Sequence, residues 1–327
     1  MCYGASPKCH CFVDLTKYGI DASGCILDNN WRDGLYVVKS AGVHSSRYEN
    51  EYEYFLPVFE KSHGRHGIIE GGVLINKVSG AKKLVYSKSP QDKDVSLLNE
   101  AIIQIVVRES LVRGGFNRGV PEVYRVYGLE GGGVGFLMEP VEGRVLEEVL
   151  TEYGTIPSQI LIECLFNIAA MLDWIVCDLG MNHRDLKPSN LILLEREVQY
   201  KKLKIGQKKY TIVSKFDIVF LDYGFSCIGN DISLGEIYGK DDPCVKEGRD
   251  LFMFLAFLYL SVHMRITADI VILFERWLTP GFCNLLRTSG QELDPVDYIY
   301  FMSGNQEIRR FYCTPEKIIS DLLSIKA

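Results

Sequence analysis

The spacing of hydrophobic positions changes partway along the chain. From Gly67, apolar and polar residues alternate in short runs, GGVLINKVSG, AKKLVYSK and VYRVYGLEGGGVGFLMEP, separated by glycine-containing turns. This pattern predicts a small antiparallel sheet. One helix interrupts it, from about Val95 to Val112, where Leu98, Ile102, Ile105 and Val106 recur at helical spacing. After Pro140 the period lengthens. Leu161, Leu165, Ile168, Leu172, Ile175 and Leu179 repeat every three or four residues and predict a long core helix. That helix leads into MNHRDLKPSN, whose Pro188 and Asn190 make a polar loop before the apolar strand LILL. A second apolar strand, DIVFLDYG, follows a lysine-rich insert, KKLKIGQKKYTIVSK, which reads as an exposed hairpin turning near Gly206. Leu251 to Val262, LFMFLAFLYLSV, is an apolar run followed closely by His263 and Arg265. It is too short to span a bilayer and reads as a buried helix. Residues 1–60 show no sustained period and end in the acidic aromatic stretch YENEYEYFLPVFE. A strand-rich part with one helix, then a helix-rich part carrying two short strands, predicts an α+β protein of two lobes. The expected divisions are an extension over 1–60, a first lobe over 61–140 and a second over 141–327.

Composition narrows the partners. With 47% hydrophobic and 24% charged residues in 327, the chain has the make-up of an ordinary globular protein. A formal net charge of -6 offers no basic excess to track a phosphate backbone, so nucleic acid is not expected as the main partner. The opening MCYGASPKCHCFVDL lacks a basic segment followed by an apolar stretch, so the expectation is a cytoplasmic protein with no membrane partner. Ten cysteines are scattered without paired CxxC knuckles, which favours reduced thiols. Cys9, His10 and Cys11, joined by Cys2 or Cys25, form the alternative metal cluster, without the two separated ligand pairs of a zinc site.

Candidate chemistry gathers where the strands meet polar loops. Phosphoryl transfer requires an aimed nucleophile and neutralised phosphate charge, so carboxylates, an amide and a lysine must converge. Asp185 and Asn190 lie five apart in one loop and can offer a carboxylate to an incoming hydroxyl and an amide oxygen to a metal. Asp222 ends an apolar strand and can reach the same point as a second metal ligand. Hard oxygen ligands, few in number, suit magnesium held partly by ATP phosphates.

HRDLKPSN followed by LDYG resembles the catalytic loop and metal-binding turn of eukaryotic-type protein kinases, and LKPSN is similar to their serine/threonine branch. The resemblance runs from about Gly64 to the C-terminus. It implies a bilobal fold and transfer of the γ-phosphate of ATP to serine or threonine hydroxyls of a protein substrate, with Mg2+. It implies that Asp185 takes or orients the hydroxyl proton, that Lys187 neutralises the transferred phosphate, and that Asn190 and Asp222 hold magnesium. His183 would pack against the 222–224 turn, where Tyr223 replaces the usual phenylalanine, and Asp250 would brace the loop backbone. Lys88 in KKLVYSKSP would grip the α and β phosphates, with Lys82 and Lys83 as alternatives. Its partner would be Glu100, with Glu109 as the alternative. Gly67, Gly71, Gly72 and Val73 in HGIIEGGV stand where a phosphate loop is expected, without a clean GxGxxG, and a plain hairpin turn is the other reading. In GFLMEPVEG, Met138 would back the adenine pocket, and backbone groups of Glu139 and Val141 would pair with the base.

The pattern departs from that family between Gly224 and Asp250, where no Ala-Pro-Glu occurs. Ser226, Ser233 and Tyr238 lie there with Asp231, Glu236, Asp241 and Asp242, acidic side chains expected to pair with Arg184 without phosphorylation. The lysine-rich hairpin and YCTPEKIISDLL are similar to kinases of large DNA viruses, which implies the host cytoplasm or the virion as the place of action. Two competing readings remain open: a nucleotide-binding scaffold that does not turn over, and a small-molecule kinase of the same fold.

Overall fold

The structure is a computed structural model that describes residues 37–39, 49, 52–64, 67–92, 96–129, 133–205, 208–228, 246–288, 294–304 and 313–326. The first lobe is built on strands β1 (Val37–Lys39), β2 (Glu53–Gly64), β3 (Gly67–Asn76), β4 (Lys82–Ser89), β5 (Val123–Gly128) and β6 (Val134–Met138). They form one six-stranded sheet in the order β1-β5-β6-β4-β3-β2. β1 runs parallel to β5, and the other neighbours are antiparallel. The sheet therefore begins before residue 61. Leu56 pairs with Val73 and Glu60 with Glu70, so the expected boundary at 60/61 falls inside β2.

Helix α1 (Leu98–Arg113) joins the two lobes because it is apolar on more than one side. Ala101 and Ile105 lie one turn apart and pack with Val123, Val126 and Phe136 of the sheet. Ile102, Val106, Ile103 and Val107 turn the other way, into the larger helical core. Polar contacts fix the same junction. Trp174 donates its indole N–H to the Ser110 carbonyl at 2.8 Å, and Ser110 donates its hydroxyl to Asp178 at 2.6 Å.

The second lobe is helical: α2 (Leu146–Thr151), preceded by the short strand β7 (Arg144–Val145), then α3 (Ser158–Leu179), α4 (Arg249–Val262), α5 (Ala268–Leu278), α6 (Pro280–Thr288), α7 (Pro295–Gly304) and α8 (Pro315–Lys326). By length and composition α3 could cross a membrane, yet 78% of its apolar window is buried inside the molecule. It is the central core helix. It stops at Gly180, which closes the helix in the left-handed region (φ 55) and donates its N–H to the Val176 carbonyl at 3.0 Å. A side chain is strained in that conformation, so glycine is the residue that lets the chain turn into the polar loop beyond.

β8 (Met181–Asn182) opens that loop, and β9 (Leu191–Ile205) and β10 (Lys208–Phe220) form one long hairpin after it. Ile205 pairs with Lys208, so the chain reverses direction between them. The lysine-rich insert differs from the expected exposed hairpin, because one face of it is buried against α3. Leu203, Ile205 and Ile212 are buried, and Lys201 donates to Asn167 Oδ1 at 3.0 Å and to the Phe216 carbonyl at 2.7 Å. Alternation puts these apolar residues on one side and the exposed Lys202 and Lys209 on the other. The whole is a mixed α+β fold of two lobes, strand-rich first and helical second.

Candidate active site

The loop between β8 and β9 carries the polar motif, and its backbone is pinned from below by one carboxylate. Asp250, in the first turn of α4, is 3% exposed. Its Oδ2 accepts the His183 N–H at 2.8 Å and the Asn182 side-chain amide at 3.2 Å, and its Oδ1 accepts the Arg184 N–H at 2.8 Å. These bonds hold Arg184 in the left-handed region, φ 66, where a non-glycine residue costs about 1–2 kcal/mol. The turn at Arg184 delivers Asp185 into a buried position beside Lys187 and Asn190.

Asp185 is 2% exposed and its carboxylate is surrounded by donors. Lys187 Nζ lies 2.9 Å from both oxygens. Pro188–Asn190 makes a short 3-10 turn that brings Asn190 back, so that its Nδ2 donates to the Asp185 carbonyl at 2.8 Å and to Oδ2 at 2.9 Å. With Nδ2 committed there, Oδ1 is the Asn190 atom left to serve as a metal ligand. The Asn190 carbonyl accepts the Leu221 N–H at 2.9 Å, which ties the loop to the chain just after β10.

Asp222 follows, also left-handed (φ 64), and meets the first lobe. Lys88 Nζ donates to Glu100 Oε1 at 2.5 Å and to Asp222 Oδ1 at 2.9 Å. The structure thus joins Lys88 on β4 to Glu100 on α1, while Glu109, the alternative, stands more than two turns further along the helix. Burial pulls Lys88 towards neutrality, but the two carboxylates outweigh it and hold its ammonium above the ordinary range. Burial also pushes Asp222 up, and the Lys88 charge reverses that, leaving its carboxyl below the usual value. For Glu100 burial is the larger influence and the carboxyl is raised, with Lys88 working against the rise. Asp222 keeps 32% of its side chain exposed. Asp222 and Asn190 are hard oxygen donors of the kind that hold Mg2+ when phosphate oxygens and water complete the shell. Among the described residues no group of three or more His, Cys, Asp and Glu side chains forms a metal cage, and Cys9, His10 and Cys11 lie outside them.

Lys88, Glu100, Asn190 and Asp222 line a cleft of about 410 Å3 between the lobes. Ile69, Tyr86, Met138, Val141, Ile192 and Leu221 give it apolar walls, and Gly67, Lys88, Asn190 and Asp222 sit on its polar side. Met138, Glu139 and Val141 all line it. The Glu139 N–H is already donated to the Glu122 carbonyl at 2.8 Å, so this group does not serve the base. Sequence reading missed Ile69 and Tyr86, although period two finds them: Ile69 shares a face with Gly67, and Tyr86 shares one with Lys88.

The glycines require a correction. Gly67 lies at the cleft, next to the turn that joins β2 to β3. Gly71 and Gly72 lie within β3 instead, where a side chain would run into the rings of Phe59 and Phe55 respectively. They seat aromatic side chains of β2 against the sheet and do not form a phosphate loop. Val73 pairs with Leu84, about 20 Å along β3 from Gly67. It does not border the cleft.

His183 and Tyr223 connect the loop to the Asp222 turn. His183 Nε2 donates to the Leu221 carbonyl at 2.9 Å, and its ring lies 5.0 Å from that of Tyr223. Tyr223 is fully buried and its hydroxyl has no hydrogen-bond partner among the described residues. Burial without a partner raises that phenol well above its ordinary pKa. Deleting the hydroxyl removes an unsatisfied polar group and leaves the ring packed against His183, so Tyr223→Phe is expected to stabilise the protein by about 1 kcal/mol. Urea denaturation reads this as a higher midpoint with an unchanged slope; a lower midpoint would mean the hydroxyl has a partner.

Ser226 is fully buried and donates to the His183 carbonyl at 3.1 Å, so it belongs to the packing beneath the loop. Ser233, Tyr238, Asp231, Glu236, Asp241 and Asp242, with their expected pairing to Arg184, lie outside the described residues. One contact had no counterpart in the sequence reading. Tyr300 of α7 donates its hydroxyl to Asp185 Oδ1.

No family model matches the chain, and no curated protein matches it. Among solved structures, a Plasmodium kinase domain is similar over 87% of this chain and 90% of that one, at 14% identity and a TM-score of 0.44.

Proposed function

We propose that the protein is a phosphotransferase that moves the γ-phosphate of ATP onto serine or threonine hydroxyls of a protein substrate, using Mg2+. One observation carries this reading. Lys88, Glu100, Asn190 and Asp222 line the polar side of one apolar-walled cleft, Lys88 bridging Glu100 and Asp222, and Asn190 bonds the Asp185 carboxylate that Lys187 also holds. A flat base fits between Ile69, Met138, Val141, Ile192 and Leu221, which orients the phosphates towards Lys88 and Asp222. Glu100 holds Lys88 in place for the α and β phosphates. Asp222 and Asn190 would hold magnesium, which would supply positive charge to the phosphate oxygens. The acceptor hydroxyl gives its proton to Asp185 as its oxygen bonds to the γ-phosphorus, and the bond from that phosphorus to the β-phosphate oxygen breaks, releasing ADP. Lys187 balances the charge on the phosphoryl group in flight.

Serine/threonine acceptors rest on Lys187 in LKPSN, which touches the carboxylate that would receive the hydroxyl proton. A cytoplasmic setting, which for a viral enzyme is the host cytoplasm or the virion, belongs to the same proposal. A second reading draws on Gly71 and Gly72, which seat aromatic rings in place of phosphate: a scaffold that binds nucleotide without turnover. The experiment is transfer from γ-labelled ATP with magnesium to casein, histone and the protein itself. Label on phosphoserine or phosphothreonine is the expected result. ATP binding without transfer would establish the scaffold, and label appearing only on aminoglycosides or choline would move the reading to a small-molecule kinase.

A further inference from the structure

We propose that Tyr300, on a helix outside the catalytic loop, is a positioning residue that holds the Asp185 carboxylate during transfer; the inference rests on the function proposed above. An ionised carboxylate offers about four acceptor positions. At Asp185 four donor contacts are made: Lys187 to each oxygen at 2.9 Å, Asn190 to Oδ2 at 2.9 Å, and the Tyr300 hydroxyl to Oδ1. Lys187 also reaches the Tyr300 oxygen at 3.3 Å. An acceptor hydroxyl must bond to the same carboxylate, so one donor has to leave.

The geometry says which. Asn190 is held twice, since its amide also bonds the Asp185 backbone carbonyl at 2.8 Å. Tyr300 is anchored through its ring, 5.5 Å from that of Phe257 on α4, and its carbonyl accepts the Ser303 hydroxyl at 2.8 Å. Lys187 has a long aliphatic stem, 30% of its side chain is exposed, and a phosphoryl group in transfer attracts its charge. When Lys187 turns to the phosphate, each oxygen loses one donor and keeps one: Asn190 on Oδ2 and Tyr300 on Oδ1. The carboxylate plane stays fixed while an acceptor position becomes vacant. Tyr300 touches neither the phosphorus nor the proton in transit; it acts through Asp185.

The test uses the full chain and compares wild type, Tyr300→Phe, Asp185→Asn and the double variant. Phenylalanine keeps the packing on Phe257, so the melting temperature should stay within about 2 °C. A hydrogen bond to a charged group is worth about 1.5–3 kcal/mol. The expected result for Tyr300→Phe is therefore a kcat lowered about tenfold to a hundredfold with KM for ATP unchanged. In the Asp185→Asn background the same change should alter the residual rate less than about twofold, because the group it positions is gone. An equal fold-loss in both backgrounds overturns the proposal in favour of a general structural role. A faster Tyr300→Phe overturns it in favour of a plug that blocks the acceptor. An active wild type with an unaffected Tyr300→Phe overturns this inference alone, whereas a wild type that transfers nothing overturns the function itself and this inference with it.

Discussion

Asp185→Asn should still bind ATP and transfer its phosphate about a hundredfold more slowly, or worse. The two side chains have nearly the same shape, so the loop around Lys187 and Asn190 has little steric reason to rearrange. What changes is chemistry. The amide takes no proton from an attacking hydroxyl, and where Asp185 presents two acceptors to Lys187 at 2.9 Å, asparagine presents one acceptor and one donor. Lys187 then keeps one of its two acceptors, and an N–H faces either the Asn190 amide or the Tyr300 hydroxyl. The contacts proposed for the nucleotide lie elsewhere, on Lys88, the cleft walls and the oxygens of Asp222 and Asn190. Initial rates with labelled ATP, beside the ATP dissociation constant from calorimetry, separate the two effects. A fall of less than about tenfold with binding intact would remove Asp185 from the role of proton acceptor.

The part of this site that was readable in the sequence is the part built by local rules. Asp185 and Asn190 share one loop, a helix ends ahead of them at Gly180, and an apolar strand follows, so turn chemistry and period mark the place. Lys88 was readable for the same reason, at the inward end of an alternating strand. Gly71 and Gly72 were misread because glycine in a strand has two physical uses, a turn or a close approach, and only the neighbours decide. Here the neighbours are Phe55 and Phe59, in a stretch whose alternation is broken by irregularities at Pro57/Phe59 and Glu60/Ser62. Each bulge changes which residues share a face, so a true strand looked aperiodic and the sheet seemed to start too late. Tyr300 had no local signal at all. It lies 115 residues from Asp185 in sequence and is brought there by α7 packing on α4.

Asp250 carries the largest expected effect on stability. Its carboxylate satisfies two buried backbone N–H groups and a side-chain amide, all drawn from consecutive residues of the loop that carries Asp185. Truncation to alanine leaves those donors without acceptors in a site sealed from water, at about 1–3 kcal/mol for each group left unmade. Partial relaxation of the loop recovers some of that, so Asp250→Ala should lose about 3–5 kcal/mol in urea denaturation at neutral pH. Asparagine is the sharper variant. It keeps one acceptor oxygen but places an N–H where the second oxygen receives a donor, so it should be destabilised nearly as much as alanine. A neutral, same-sized residue that restored stability would mean that packing and not hydrogen bonding is what Asp250 provides. Transfer should fall further than the folded population does, because Arg184 holds its left-handed backbone only while Asp250 grips the N–H groups of His183 and Arg184. Once that grip is lost the loop relaxes towards a right-handed conformation, and Asp185, one residue on, swings out of line with Lys187 and Asn190. If Asp250→Ala instead costs less than about 1 kcal/mol and leaves the rate of the folded fraction unchanged, the loop is held by its own contacts and Asp250 is not its brace.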